Sequence, residues 1–371
     1  MASLSTHAAT IVAGALAGAT LIVAVDAAAQ KADFSGKRIE VIIPFAPGGG
    51  SDVYMRAIAP HLERHLPGKP TLILRNVPGS RSIPGANQFQ ERAKPDGTHL
   101  MIVSATTVAS FVFSRDKVKF DMDKWEPVLL SPQGMVGYAH PSLGMKSWKD
   151  IAPFQKRMAA SNLSLTFGGQ SANSGELRFI MMLHLLGMKT NHVWGLNRGP
   201  VRLAFERGEF SINYDSMPGY MGGAIQLVKA GKAVPLFTAG IIDEKGQMVR
   251  DPNAKDLPHF AEVMELVHGK KPSGPGWDAW MSSSKMNTMM NKGMFLPAGT
   301  PKYIVDAWTK AVSDMLKDPV FDKEASSVIE GYPQYIGDKA RPIIKDSLTF
   351  TPESWQWLKD YFKKEHNVTL N

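Results

Sequence analysis

The stretch Val41-Ile-Ile-Pro-Phe-Ala-Pro-Gly-Gly-Gly-Ser-Asp52 constrains this chain's fold more than any other. A short apolar run ends in a Pro/Gly turn, and helical spacing begins at Ser51-Asp52 and continues through His65. The order is strand, glycine-rich turn, helix N-terminus. Three consecutive glycines let backbone N–H groups approach a ligand with no Cβ in the way. Ser51 or Asp52 is suited to cap the helix. First-turn N–H groups and the helix dipole favour an anion in front of them. On the residues alone, the loop either cradles a small anion or serves only turn geometry. Two nucleotide motifs fail on spacing. A dinucleotide fingerprint would fit Gly48 and Gly50 but needs a third glycine where Val53 stands. No Gly-Lys pair in the chain is followed by the Ser or Thr of a P-loop.

Around this motif the chain alternates. Arg38–Ile43, Thr71–Leu74 and His99–Val103 read as strands, Val53–His65 as a helix, Asn76–Ala86 as a turn-rich loop and Ala86–Arg92 as the start of a helix. A βαβαβ order implies an α/β domain with a mostly parallel sheet, whose ligands sit at the carboxyl ends of strands. Three loops fall there: Phe45–Asp52, Asn76–Ala86 and Ser104–Ser110. A second block starts near Met135. It holds a strand at Leu163–Phe167, a loop at Gly168–Gly175, a helix at Glu176–Leu186 and strands at Ser211–Tyr214 and Ala233–Ala239. The region from Pro258 to Pro301 reads as irregular, and helices follow at Tyr303–Leu316, Pro319–Glu330 and Ser354–Lys364.

Composition bounds the function. The 371 residues are 44% hydrophobic and 20% charged, enough for two domains with their own cores. Residues Ala8–Val25 carry no charge, and Ala27 and Ala29 form an A-x-A cleavage pattern, so residues 1–29 read as a signal peptide. The n-region has no Lys or Arg, and an uncleaved anchor is the alternative. Cleavage removes one charge, Asp26, and takes the formal net charge from +8 to +9. With no cysteine, disulfides and thiol catalysis are excluded. The basic residues are scattered, which suits attraction to anions but offers no nucleic-acid-binding module.

Taken in order, the motifs resemble a known family: the extracytoplasmic solute receptors of the tripartite tricarboxylate transporter group, or Bug family. The residues that carry the resemblance are Ile43–Asp52, Asn76–Gly79 leading to Gly85-Ala86, Pro95–Thr98, His192-Val193 with Gly199-Pro200, Tyr214–Ser216, Leu257–Glu262 and Leu296–Pro301. They span residues 38 to about 330. The resemblance implies a two-domain hinged periplasmic binding protein of type II-like architecture, each domain a central, mostly parallel sheet flanked by helices. Domain 1 would be discontinuous, over 36–134 and 240–371, and domain 2 would cover 135–239. It implies a small organic carboxylate ligand, aromatic or dicarboxylic among the options. It also implies a periplasmic, monomeric receptor, a membrane permease as partner, no catalysis, and no metal or organic cofactor.

Carried over by position, the resemblance points to Phe45, Ala46, Gly48, Gly49, Gly50, Ser51 and Asp52 as the first ligand loop. Ser80, Arg81 and Ser82 belong to the second, Ser104 and Thr106 to the third. The opposite domain would supply Gln170, Ser171, Asn173, Ser174 and Asp215. The chain departs from the family at Gly79-Ser-Arg-Ser-Ile-Pro-Gly85, where glycines are usual. Arg81 either enters the cleft to pair with a second carboxylate or points to solvent. Trp277, Trp280 and the surrounding methionines either form an apolar lid, which leans the ligand towards a bulky acid, or pack the domain.

Other residues have ordinary readings. His61 and His65 share a helix face but lack the zinc-protease pattern. Gly169-Gln-Ser171-Ala-Asn173 lacks the last glycine of a nucleophile elbow. Lys189–His192 either lines the cleft or links helix to strand. Two rival functions stay open: the same receptor presenting its ligand to a membrane kinase, and an enzyme acting on an organic acid or ester, for which no nucleophile–base pair can be assembled.

Overall fold

A computed structural model of the chain describes residues 31–242, 247–329 and 331–370; the leader expected over 1–29 lies outside the described residues. Strand β1 (Arg38–Ile43) leads through the Pro/Gly loop into helix α1 (Gly50–His65). Then come β2 (Thr71–Asn76), α2 (Ile83–Arg92), β3 (His99–Ser104), α3 (Ala105–Phe113) and β4 (Glu126–Ser131). The chain next builds a smaller lobe from β5 (Met135–Ala139), α4 (Ile151–Ala159), β6 (Leu165–Gly168), α5 (Leu177–Leu185), β7 (Thr190–Val193), α6 (Arg198–Glu206) and β8 (Ile212–Ser216). A helical run follows from α7 (Met217–Gly219), through a π turn at Tyr220–Ala224, into α8 (Ile225–Lys229). Strand β9 (Val234–Thr238), the short pair β10 (Ile241–Ile242) and β11 (Met248–Val249), and α9 (Phe260–His268) come next. The return is made by α10 (Pro275–Met289) and β12 (Lys292–Leu296). The chain ends with α11 (Lys302–Met315), α12 (Pro319–Ala325), β13 (Tyr335–Ile336), α13 (Ala340–Ser347) and α14 (Pro352–His366).

The large sheet runs β13-β4-β12-β3-β1-β2. Only β2, β1 and β3 are mutually parallel; β12 lies antiparallel between β3 and β4, and β13 is antiparallel to β4. The sheet is therefore mixed, where the sequence suggested a mostly parallel one. The reason is the path: β12 is reached from the other lobe, so it enters at the carboxyl edge of β1 and β3. Its first residue, Lys292, sits beside Ser104, the last residue of β3. In the smaller lobe β5 is antiparallel to both β8 and β9, and β6 and β7 form a separate parallel pair.

Period-2 alternation sorts the large sheet's side chains onto two covered faces. Ile39, Val41 and Ile43 of β1, Leu100 and Ile102 of β3, and Met294 and Leu296 of β12 join a core with Tyr54, Ile58, Trp308 and Met315. Ile42, Met101, Val103 and Phe295 face the opposite way. They join a second core that runs through Phe89, Trp125 and Phe113 into Phe179, Phe237, Trp280 and Tyr361 of the smaller lobe. Continuous burial on both faces is why these strands read as apolar runs.

The stretch read as irregular, Pro258–Pro301, holds two helices and a central strand. Helix α9 packs on α4 and β9, so the return to the large sheet comes through α10 and not at residue 240. Helix α10 touches α3, α5, α13 and α14. Trp280 is fully buried in it; its indole N–H donates to the Arg178 carbonyl at 3.0 Å, and its ring packs on Phe260 and Trp277. Trp280 is a core residue, Trp277 packs partly buried against that core, and neither lines the cavity at the carboxyl edge of β1 and β3. His65 pairs with Asp318 at 2.9 Å and His61 packs edge-on against Phe321, so the two histidines serve the helix packing. Trp280→Ala would remove a large core side chain and the indole donor to the Arg178 carbonyl. It should cost about 3–5 kcal/mol, read as a lower denaturant midpoint with an unchanged slope.

Candidate functional site

A cavity of about 80 Å³ lies at the carboxyl edge of β1 and β3, facing the end of β8. From the large lobe it is lined by Phe45, Ala46, Gly49, Gly50, Ser51, Ser104, Ala105, Thr106, Asn291 and Lys292. From the smaller lobe come Gln170, Gly175, Glu176, Arg178, Asn197, Arg198, Gly199, Tyr214, Asp215 and Ser216. The first turns of α1, α3, α5 and α6 and the N-cap Ser216 of α7 all meet it. Each such terminus leaves backbone N–H groups unpaired and carries a partial positive charge.

The Pro/Gly loop is tied down from behind. Helix α1 starts at Gly50 with Gly49 as its N-cap and no side-chain cap, so neither Ser51 nor Asp52 caps it. Asp52 instead accepts the Gly48 amide at 2.9 Å, the Asn76 amide at 3.0 Å and the Arg56 guanidinium at 3.0 Å. Burial works against its ionisation, but these bonds prevail and hold its pKa below the usual carboxylate value. Asn76 also donates to the Phe45 carbonyl at 2.9 Å, which fixes the loop's entry. Gly50 is required by approach: a Cβ there would stand 2.5 Å from Ser216 Oγ, across the cavity.

Helix α3 follows β3 with no loop. Ser104 caps it, accepting the Thr106 amide at 3.1 Å, and Thr107 completes a capping box. Thr106 Oγ1 then accepts the Gly175 amide at 3.1 Å, a hydrogen bond between the lobes. A Cβ on Gly175 would stand 2.7 Å from that hydroxyl.

The charges fall into two groups. Asp215 is consumed by its own lobe: Arg202 holds it with two bonds of 2.8 and 2.9 Å, and Tyr138 donates to it at 2.7 Å. Glu176, buried, accepts from the Ser174 hydroxyl and from the Gln170 amide at 3.3 Å. Arg198 binds the Gly168 and Tyr214 carbonyls and Asn213 Oδ1, and its guanidinium lies 4.3 Å over the Tyr214 ring. Arg178 is 1% exposed; Thr288 takes its Nη1 at 2.8 Å and its Nε has no partner among the described residues. Burial lowers its pKa to about 10. Lys292 is 2% exposed, and among the described residues its ammonium donates only to the carbonyl and side-chain oxygens of Asn291. Burial, with Arg178 nearby, pushes its pKa down to about 7. Among the described residues no cluster of His, Cys, Asp and Glu is arranged to hold a metal ion.

Of the residues singled out in the sequence, Phe45, Ala46, Gly49, Gly50, Ser51, Ser104, Thr106, Gln170 and Asp215 line the cavity. The others stand behind it. Gly48 and Asp52 brace the loop. Ser80, Arg81 and Ser82 all hold positive φ, in a turn that favours glycine. Ser80 is exposed and Ser82 buried. Arg81 reaches neither cleft nor open solvent: it is half-buried and donates to Ser114 Oγ at 3.0 Å. Asn173 donates to the same hydroxyl at 3.1 Å, a second link between the lobes. Ser171 and Ser174 are spent within their own turn, on Asn173 and on the Ser171 carbonyl and Glu176. His192 stacks on Trp194 and meets His366 away from this cavity.

The sequence reading passed over Lys292, Arg178, Arg198, Asn291 and Tyr214. For two of them a signal was present: Arg178 is a lone cation at the head of an apolar helix, and Lys292 immediately precedes an apolar strand.

Two outcomes follow for the protein without ligand. Arg202→Met would leave Asp215 buried and uncompensated, at a cost of about 3–5 kcal/mol. Urea melts should show that loss, and Arg202→Met with Asp215→Asn should recover part of it. Lys292 has a folded pKa below its unfolded one, so the unfolded chain binds more protons above about pH 7. Its contribution therefore makes stability rise with pH from about 7 towards the usual lysine range. Lys292→Met should remove that rise, seen as a flatter plot of melting temperature against pH.

No family model matches the chain. A UPF0065 protein of Bordetella pertussis is 26% identical over 310 residues, covering 82% of this chain and 84% of that protein. The periplasmic binding protein BugD shares the fold, with a TM-score of 0.63 and 19% identity over 88% of this chain and 97% of that one. So does MatC from Rhodopseudomonas palustris with bound malate, with a TM-score of 0.61 and 21% identity over 86% and 97%. The expected fold class, a two-domain periplasmic binding protein, is borne out by these structures. The chain is thus similar in sequence to the UPF0065 protein along most of both chains and shares the fold of periplasmic binding proteins.

Proposed function

We propose that the chain is a periplasmic solute receptor, not an enzyme. It captures a small organic carboxylate between its lobes and delivers it to a tripartite tricarboxylate-type membrane permease. Residues 1–29 would be its export signal and the working form a monomer. One observation carries the reading: N-termini of helices from both lobes converge on a single cavity. Such termini hold an anion through neutral donors, and each charge-assisted hydrogen bond contributes roughly 1.5–3 kcal/mol. A shared fold with a malate-bound protein supports the ligand class.

Trp277 and Trp280 pack against Phe260 and do not line the cavity, so the lean towards a bulky aromatic acid loses its basis. The Thr106–Gly175 and Asn173–Ser114 hydrogen bonds exist only with the lobes together. Ligand contacts from both sides would favour that state, and a ligand acts only through such preference.

A thermal-shift screen of residues 30–371 tests this. Acetate, malonate, succinate and L-malate, each against its amide, should give a shift for an acid and none for its amide. Saturation at about 100 times the dissociation constant stabilises by about 2.7 kcal/mol. Equal shifts with acid and amide, or none with any acid, would overturn the carboxylate reading.

A further inference from the structure

We propose that Lys292 is the counter-charge of the bound carboxylate, and that ligand entry is accompanied by uptake of a proton at Lys292 Nζ. The inference rests on the receptor reading above and assigns the site its anchoring charge and its pH dependence.

The argument is one of unmatched groups. Every carboxylate near the cavity is already satisfied by protein. Asp215 is held by Arg202 and Tyr138. Glu176 is held by Ser174 and the Gln170 amide. Asp251, buried behind, is held by Tyr332 at 2.8 Å and the Asn253 amide at 3.0 Å. None is within ion-pair distance of Lys292, whose ammonium has only its chain neighbour Asn291 as acceptor among the described residues. Arg178 Nε, on the facing helix, is likewise buried without an acceptor and lines the same cavity. Two buried cationic donors with unused capacity thus face one small space.

Position makes the case specific. A Cβ built on Gly50 would lie 3.9 Å from Lys292 Nζ and 2.5 Å from Ser216 Oγ. The ammonium therefore stands beside the first turn of α1 and the Ser216 hydroxyl at the cap of α7. An oxygen pair placed there would meet an ammonium and helix N-termini together. Lys292's sheet neighbours, Ser104 and Ser131, are neutral. Tyr54 of α1 is neutral too, its pKa raised by burial. The charged groups that share the cavity are Glu176 and Arg178 from α5, Arg198 from α6 and Asp215 from β8.

With the lobes together and no anion present, burial disfavours a lone ammonium and lowers its pKa to about 7. An anion against Nζ reverses that preference. The proton comes from water or buffer, and no covalent bond changes. Binding should thus weaken as pH rises above about 7, since the empty site must first regain its proton.

The test is isothermal titration calorimetry with malonate, succinate and L-malate at pH 8, in HEPES and in Tris. The buffers differ in ionisation enthalpy, so proton uptake appears as a difference in heat. The expected result is net uptake of up to one proton per acid bound, and an affinity that falls as pH rises from 6.5 to 9. Lys292→Met should keep its fold by circular dichroism. It should lose roughly 10- to 100-fold in affinity for the acid and lose the pH slope. The calorimetric arm uses the unaltered protein and stands even if the variant fails to fold. Binding with identical heats in both buffers overturns the inference and leaves the receptor reading intact. So does a folded Lys292→Met variant within threefold of the parent. No binding of any acid overturns both.

Discussion

Helix α10 is the piece on which the two lobes depend. It lies against α3 of the large lobe and α5 of the smaller one, and α13 and α14 cover it. Its hold on α5 is polar as well as apolar: Trp280 donates to the Arg178 carbonyl and Thr288 accepts from the Arg178 side chain. Burying an arginine is expensive unless its donors are met, and α10 meets one. The same helix carries a buried ladder in which Asn287 donates to the Ser283 carbonyl at 2.7 Å and Asn291 to the Asn287 carbonyl at 3.1 Å. That ladder delivers Asn291 to Lys292. Lobe packing and cavity chemistry therefore share one element.

This coupling decides what the cavity can be. Because α10 approaches from the smaller lobe, β12 enters the sheet antiparallel, and its first residue falls at the carboxyl edge of β1 and β3. A parallel β12 would put Lys292 at the far end of the sheet. The cation reaches the cavity through topology, whereas the neutral donors reach it through the helix starts that follow β1, β3 and β8. Fixed dipoles from several helices and one unmatched ammonium give a space that stabilises negative charge without a metal-type ligand set.

Legibility in the sequence followed how local the physics was. The Pro/Gly loop, Ser104 and the Thr106 turn were readable because glycine geometry and capping act over three or four residues. The strands of β1 and β3 were readable because both faces are covered and the side chains are apolar throughout. Helix α10 was not, for it is packed on several sides and spends Ser283, Ser284, Asn287 and Thr288 on buried contacts. No single apolar stripe appears, and helical periodicity needs one. Arg81 was misplaced for a different reason: the turn's positive φ values turn its side chain towards Ser114, and only the three-dimensional path of α3 puts that hydroxyl within reach. Arg178 and Lys292 stood out only as charges beside apolar runs, a pattern that a surface residue can produce as well.

The interlobe contacts suggest why a receptor of this kind can release what it holds. Thr106 with Gly175, and Asn173 with Ser114, are neutral hydrogen bonds, each contributing only about 0.5–1.5 kcal/mol net. They are too few to hold the lobes shut against the freedom gained on opening. The larger share of closing energy would then lie with the anion, which meets donors from both lobes at once. Separation of the lobes breaks those contacts together. Opening thus weakens the site by geometry, since donors from the two lobes no longer meet the anion together.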